Sequence, residues 1–157
     1  MNDEIHYLTL EGLKEYEERL NYLRNVRRQE VAERLRLALE EGGELVENAE
    51  YEDAKNEQAF IEGEIMRLEM ILSNAQIIDQ DGPKDTVGLG DKVTVQEVGT
   101  SNTEVYHLVG AAEANPRAGK ISHKSPLGRA LMDHHIGDRV VVEAPDGEIA
   151  FEIKAIE

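Results

Sequence analysis

The sequence predicts an α+β protein in two parts: an antiparallel α-helical coiled-coil hairpin over residues 1–78 and a small sheet domain with one helix over residues 79–157. No proline occurs between Thr9 and Ala75, and most residues there are good helix formers. All four prolines and the short β-branched runs lie beyond Gly82. The segment DQDGPKD, where the two parts meet, has the composition of a linker.

The first helix is predicted to begin after Thr9, a residue type that suits the N-cap. Its apolar residues recur every three or four positions, with a charged interval at Arg27 and Arg28. Gly42-Gly43 is a stop signal of the kind found just past a helix end. The apolar positions are Leu10, Leu13, Tyr16, Leu20, Leu23, Val31, Leu35 and Ala38.

A heptad seam with one polar position predicts the second helix. Its members are Ala54, Gln58, Ile61, Ile65, Leu68, Leu72 and Ala75. Two such helices joined by a short loop fold back antiparallel. An arm of about thirty residues reaches roughly 45 Å, so we expect it to project, with the bend at residues 42–48 as its tip.

The second part contains short runs typical of strands. Ser125-Pro126 has the pattern of an N-cap followed by proline at the first helical position, which predicts a helix through Met132. Asp146-Gly147 is a hairpin turn signal. The predicted strands are Lys92 to Val98, Glu104 to Val109, Arg139 to Glu143 and Ile149 to Ile156.

Composition excludes several functions. The 157 residues carry a formal net charge of -16, which repels a phosphate backbone over most of the surface and argues against free-standing DNA or RNA binding. Cysteine is absent, so disulfides and thiol chemistry are excluded. No apolar stretch approaches the ~20 residues of a membrane span, and no export signal precedes the first helix. We expect a soluble cytoplasmic protein.

The predicted bend carries two carboxylates three residues apart, Glu44 and Glu47. Magnesium prefers oxygen ligands and usually takes one or two carboxylates from a protein. Two carboxylates leave several coordination positions open, so the pattern favours half of a metal site that another molecule completes. The alternative is that the acids are ordinary polar bend residues that interact favourably with the dipole of the second helix.

Several runs of this sequence resemble the Gre family of bacterial transcript-cleavage factors. The run from Gly43 to Tyr51 reads GELVENAEY, and the same family pattern continues with Ala54-Lys55. The segment from Ile121 to Leu131 is similar to the C-terminal domain of the family. Further matching runs are Leu8-Thr9 with Gly12, Phe60-Ile61-Glu62-Gly63, Leu72-Ser73-Asn74-Ala75 and Gly137-Asp138.

The resemblance implies a transcription elongation factor that binds RNA polymerase in its secondary channel and stimulates the polymerase to cut the 3′ RNA of backtracked complexes. The protein would not itself be an enzyme, and no cofactor is expected on it alone. The resemblance implies that Glu44 and Glu47 help to hold a magnesium ion shared with the polymerase, close to the nascent RNA 3′ end. The sheet domain would be FKBP-like and would dock on the polymerase, and a monomer is expected.

Other site residues follow from the same resemblance. Glu47 matches the family glutamate, whereas Glu44 stands where the family usually has aspartate, and its extra methylene moves the carboxylate outward. Asn48 also suits the N-cap of the second helix, and Tyr51 either positions RNA or the tip, or packs on the hairpin. Lys55 is a further positioning candidate. The predicted polymerase-docking residues are Ser125, Pro126, Leu127 and Gly128.

Positive charge concentrates on the first helix at Arg24, Arg27, Arg28 and Arg34. In the family a basic patch on the arm attracts the extruded RNA, which makes these arginines RNA-contact candidates. The alternative is ion pairing with acids of the same helix or of the partner helix. Both interpretations remain open from the sequence.

Two other functions are compatible with this architecture. A channel-plugging inhibitor of RNA polymerase would share the fold. The known inhibitory members of the family, however, carry an aspartate-rich tip that this chain lacks. A peptide isomerase would need an aromatic-lined pocket, and the second part offers only Tyr106 and Phe151.

Overall fold

The computed structural model describes residues 4–41, 48–79, 82 and 84–157. The chain divides into two compact units, one of residues Leu13–Asn74 and the other of Met1–Gly12 with Ala75–Glu157. The N-terminal segment joins the second unit because strand β1 (His6–Leu8) pairs in parallel with strand β2 (Ala75–Ile77). The domain division between residues 78 and 79 stays a prediction.

The predicted first helix forms as three consecutive helical segments: α1 (Leu10–Tyr22), a π-helical turn (Leu23–Arg27) and α2 (Arg28–Glu41). Leu23 and Val31 are eight residues apart, about 80° more than two turns of regular α-helix. The wider π turn absorbs this excess, and both side chains are buried. The interruption that the sequence shows at Arg27 and Arg28 is therefore a π insertion in one continuous helix.

Helix α3 (Ala49–Ser73) supplies the other half of the hairpin core. The predicted seam is largely confirmed, but Gln58 is exposed, Ile71 is buried although the pattern omitted it, and Ala75 belongs to β2. Leu10, at the start of the first stripe, is 66% exposed. Among the residues described, no helix is long and apolar enough to cross a membrane. The buried cluster consists of Leu20, Leu23, Val31, Ile61, Ile65 and Leu68.

The other unit is built on a five-stranded sheet in the order β5-β4-β3-β7-β6. Its strands are β3 (Lys92–Glu97), β4 (Thr103–Val109), β5 (Lys120–Ser122), β6 (Arg139–Ala144) and β7 (Gly147–Ile156). All pairs are antiparallel except β4 with β5. The predicted hairpin turn at Asp146-Gly147 joins β6 to β7. The sequence analysis did not predict β1, β2 or β5.

Helix α4 (Pro126–Leu131) contributes to the core of the sheet unit. Leu131 and the strand residues Val93, Val95 and Leu108 are almost completely buried there. Tyr106 and Phe151 pack against this same core. The two aromatics on which an isomerase pocket would depend are thus engaged in core packing.

Gly63 lies exposed in the interior of α3, where a Cβ would meet no atom within 4 Å. Glycine in a helix interior costs about 0.5–1 kcal/mol relative to alanine because it loses more backbone entropy on folding. We therefore expect Gly63→Ala to raise the free energy of unfolding of the helical unit by that amount. Denaturant unfolding followed by the helical circular dichroism signal measures it, and an unchanged or lower midpoint would contradict the expectation.

Candidate functional site at the end of the helical hairpin

Asn48 fixes the beginning of α3 through both the oxygen and the nitrogen of its side-chain amide. Its Oδ1 accepts a hydrogen bond from the Tyr51 N–H at 3.1 Å, which is the predicted N-cap contact. Its Nδ2 donates to the Ala38 carbonyl oxygen of α2 at 2.8 Å. The side chain is buried, so this second bond joins the two helices without competition from water. The predicted capping role is confirmed, and the bond to α2 is an addition that the sequence analysis missed.

The two predicted carboxylates, Glu44 and Glu47, lie outside the residues that the structure describes, as does the stop signal Gly42-Gly43. Their roles as metal ligands stay predictions. Helix α2 is described to Glu41, and the description resumes at Asn48. Within the described ranges, no group of three or more His, Cys, Asp or Glu side chains is arranged to hold a metal ion.

Tyr51 and Lys55 form a pair on the first turns of α3. The Lys55 Nζ lies 5.4 Å from the centroid of the Tyr51 ring, within the range of a cation–π interaction. Tyr51 is half-buried and Lys55 is exposed. The ring therefore holds a cation close to the Asn48 cap, where both residues remain candidates for positioning the tip or RNA.

The four candidate arginines all pair with acids of the helical unit. Arg28 makes a two-pronged contact with Glu62, with nitrogen–oxygen distances of 2.7 and 2.9 Å. The hydrogen bond to Glu62 raises the pKa of Arg28 above its ordinary value. The other pairs across the hairpin are Arg24 with Glu69, Arg27 with Glu57 and Arg34 with Glu57, and Arg27 also contacts Glu30.

Ion pairing, one of the two interpretations of the basic residues, is therefore realised. The predicted RNA contact is not excluded by it, because the side chains of Arg24, Arg28 and Arg34 remain 44%, 44% and 45% exposed. Exposed pairs contribute little stability, so giving up such a pair for another anion costs little free energy. Contact with RNA stays a prediction.

The four predicted docking residues open helix α4. Ser125 is its N-cap: its hydroxyl accepts a hydrogen bond from the Gly128 N–H at 3.1 Å and donates one to the Ser122 carbonyl oxygen at 2.6 Å. Pro126 is exposed, Leu127 packs against the core and Gly128 is buried. Pro126 is thus the member of this set that presents most surface to a partner, and docking itself stays a prediction.

The sequence analysis missed a remote cap on helix α1. The carboxylate of Glu113 accepts hydrogen bonds from the Thr9 N–H and from the Thr9 hydroxyl, each at 2.7 Å. The same hydroxyl accepts from the Gly12 N–H at 3.0 Å, as expected of an N-cap. A Cβ on Gly12 would lie only 2.0 Å from Glu113 Oε1. A capping box normally takes its acid from the third helical position, which Gly12 occupies in this chain. The glycine at that position was the one available sign that the acid comes from elsewhere in the sequence.

Two variants of Asn48 separate its two hydrogen bonds. Asn48→Asp keeps the oxygen that caps α3 but replaces the donor to Ala38 by a second carboxylate oxygen that faces the Ala38 carbonyl oxygen, and we expect it to cost about 2 kcal/mol or more of unfolding free energy. Asn48→Ala loses both bonds and is expected to cost about 2–3 kcal/mol. Urea unfolding of the two variants and the parent gives these values. Equal stabilities of Asn48→Asp and the parent would mean that the bond to Ala38 contributes nothing.

Family comparisons agree with a helical hairpin followed by a small sheet domain. Residues 6–77 match the family model described as "Transcription elongation factor, N-terminal". Residues 82–157 match the model described as "Transcription elongation factor, GreA/GreB, C-term". The protein is therefore a transcription elongation factor. The chain belongs to the GreA/GreB family.

Individual relatives match over nearly the whole chain. Transcription elongation factor GreA of Acetivibrio thermocellus is 48% identical, over 95% of this chain and 94% of its own. The GreA of Halalkalibacterium halodurans is 46% identical, over 97% of this chain and 95% of its own. Among solved structures, the GreA factor homolog 1 protein of Thermus thermophilus is 33% identical and covers 98% of this chain and 99% of its own, with a TM-score of 0.46.

Proposed function

We propose that this protein binds RNA polymerase from the secondary channel and stimulates cleavage of the 3′ RNA in backtracked complexes. The near full-length similarity to proteins named transcription elongation factor GreA supports this proposal. The protein acts as an accessory factor in the cytoplasm, and the polymerase performs the hydrolysis. Glu44 and Glu47 supply carboxylate oxygens to a magnesium ion that the polymerase already partly holds.

The observation that carries this proposal is that proteins named transcription elongation factor GreA match nearly the whole chain at 46% and 48% identity. Glu47 is covalently attached to a residue that is buried, caps α3 and is bonded to α2. A metal ion held there by Glu44, Glu47 and the polymerase would supply electrostatic stabilisation of the scissile phosphate and activation of water.

The arginines of the helical arm contribute to RNA binding by exchanging their carboxylate partners for RNA phosphates. In the free protein their guanidinium groups contact the carboxylates of Glu57, Glu62 and Glu69. A phosphodiester of the extruded RNA carries the same single negative charge as a carboxylate and can accept the same two-pronged contact through its two unbridged oxygens. The arm therefore attracts the RNA 3′ segment locally, although the chain as a whole is strongly acidic.

The deciding experiment compares RNA cleavage by stalled, backtracked polymerase complexes with and without this protein in magnesium buffer. We expect the shortened 3′ RNA products to appear faster when the protein is present. A protein that plugs the channel would instead slow both cleavage and elongation, and that result would favour the inhibitory function over the proposed one. If neither rate changed, both the proposed function and the inhibitory function would be wrong.

A further inference from the structure

Two lysines and a histidine form a row across three strands of the sheet unit. Lys92 of β3 is the register partner of His107 of β4, and His107 is the register partner of Lys120 of β5. Register partners point to the same face of a sheet. Val93 and Leu108, the next residues along β3 and β4, are buried in the core on the opposite face. The row therefore lies on the outer face of the sheet, with the two lysine Cα atoms roughly 10 Å apart.

This arrangement is unfavourable for the isolated protein. Lys92 and Lys120 repel each other across His107 on one face of the sheet, although a chain with 33 acidic residues has many partners to offer. Lys84, which lies nearby, is paired with the buried Asp91. Within the part of the chain that the structure describes, however, neither Lys92 nor Lys120 has an ion-pair partner. The two ammonium groups therefore lie on the same face of the sheet, free of ion pairs with any described residue.

The row lines an open cavity of about 640 Å³ in the same unit. That volume falls within the range of about 300–1,000 Å³ usual for small-molecule sites. The wall also includes the exposed side chain of Val105 and two acids, Glu11 and Glu157. The remaining lining residues are Lys84, Gly90, Ala118 and Gly119.

His107 is held in one orientation at the centre of the row. Its Nε2 lies 3.1 Å from the Gly90 carbonyl oxygen, which can only accept, so Nε2 carries the proton. Burial lowers the pKa of His107, and the charges of Lys92 and Lys120 lower it further, against the opposing effects of the Gly90 bond and of Glu113. The ring is therefore neutral at pH 7, which leaves Nδ1 as an acceptor and the two lysines as the positive charges of the row.

We propose that this cavity binds a small phosphate monoester, with the phosphate between Lys92 and Lys120. A doubly charged phosphate balances two unpaired ammonium groups, whereas a single carboxylate balances only one. The cavity is larger than a phosphate and leaves room for an organic portion beside Val105. Glu11 and Glu157 accept hydrogen bonds from hydroxyl or amino groups of that portion, and they repel a longer polyanion such as a nucleic acid strand.

The test is an NMR titration of the full-length protein that follows the His107 ring resonances. Inorganic phosphate is the probe, at mildly alkaline pH where it is doubly charged, with acetate and chloride compared at equal ionic strength. The variants are Lys92→Met and Lys120→Met, and Lys154→Met is the matched control because Lys154 lies on β7 outside the cavity and pairs with Glu152. The two cavity variants remove a charge repulsion, so both are expected to fold.

We expect phosphate to shift the His107 resonances saturably, with an affinity about tenfold lower in each cavity variant and unchanged in Lys154→Met. Each cavity variant should also raise the pKa of His107 in the absence of phosphate, because one neighbouring positive charge is gone. Equal shifts by chloride, acetate binding as tight as phosphate binding, or full phosphate affinity in Lys92→Met and Lys120→Met would each overturn the proposal.

Discussion

Replacing Glu47 by alanine is expected to abolish the stimulated cleavage of RNA in backtracked complexes while polymerase binding stays nearly unchanged. If Glu47 binds the shared magnesium ion as proposed, the substitution removes a charged oxygen ligand, and losing one such stabilising group costs on the order of 10²-fold or more in rate. Binding surfaces elsewhere on the chain are untouched. Single-turnover cleavage kinetics give the rate, and co-migration of the variant with the stalled complex gives the binding.

Two companion variants make this result specific. Glu47→Gln preserves size and hydrogen bonding but removes the charge, so it should be nearly as defective as the alanine variant if the carboxylate binds a cation. Glu44→Asp restores the residue type usual in the family, and a gain in rate would indicate that the extra methylene of Glu44 misplaces its oxygen. Undiminished cleavage by Glu47→Ala would refute the metal role of the tip.

Gly128→Ala is expected to destabilise the sheet unit by about 3 kcal/mol or more. An added Cβ would lie 2.1 Å from the Ser122 carbonyl oxygen and 3.0 Å from His123 Cα. Both contacts are backbone atoms, so no side-chain rotation relieves the clash, and α4 must move away from the end of β5. The loss would appear as a lower unfolding midpoint and as faster amide hydrogen exchange in β4 and β5.

The matched control for this substitution is Gly63→Ala, the same chemical change at a position with no neighbouring atoms. The two glycines both lie in helices, yet they should change stability in opposite directions. Since Gly128 is also one of the predicted docking residues, its variant would weaken polymerase binding indirectly. Pro126→Ala tests docking more directly because Pro126 is exposed. A parent-like midpoint for Gly128→Ala would contradict the close approach of α4 to β5.

Features that depend on neighbours in the sequence were predictable. The N-caps at Thr9, Asn48 and Ser125 were recognised because a capping side chain bonds to an amide three residues further along. The helical hairpin followed from the spacing of its apolar residues, which reports directly which face is buried. The family itself was recognisable from short runs near the tip and around α4.

Contacts between distant residues were not predictable in the same way. Strand β1 has only three residues and pairs with β2 almost seventy residues later, so neither shows a pattern of its own. Glu113 caps Thr9 across 104 positions of sequence. The π turn at Leu23–Arg27 appeared in the sequence only as an interruption of the apolar stripe. A single inserted residue rotates the following apolar positions around the helix axis but leaves the amino-acid composition of the segment unchanged.

The sequence by itself determined the helices, most strands of the main sheet, their caps and the family, because these follow from local periodicity, local hydrogen bonding and the order of characteristic residues. Only the tertiary structure decided which acid each arginine of the arm contacts and which carboxylate completes the cap of α1. It alone also showed that Lys92, His107 and Lys120 share one row. The physical reason is that charge pairing and strand register join residues far apart in the chain, and many pairings would satisfy the same composition until the backbone selects one.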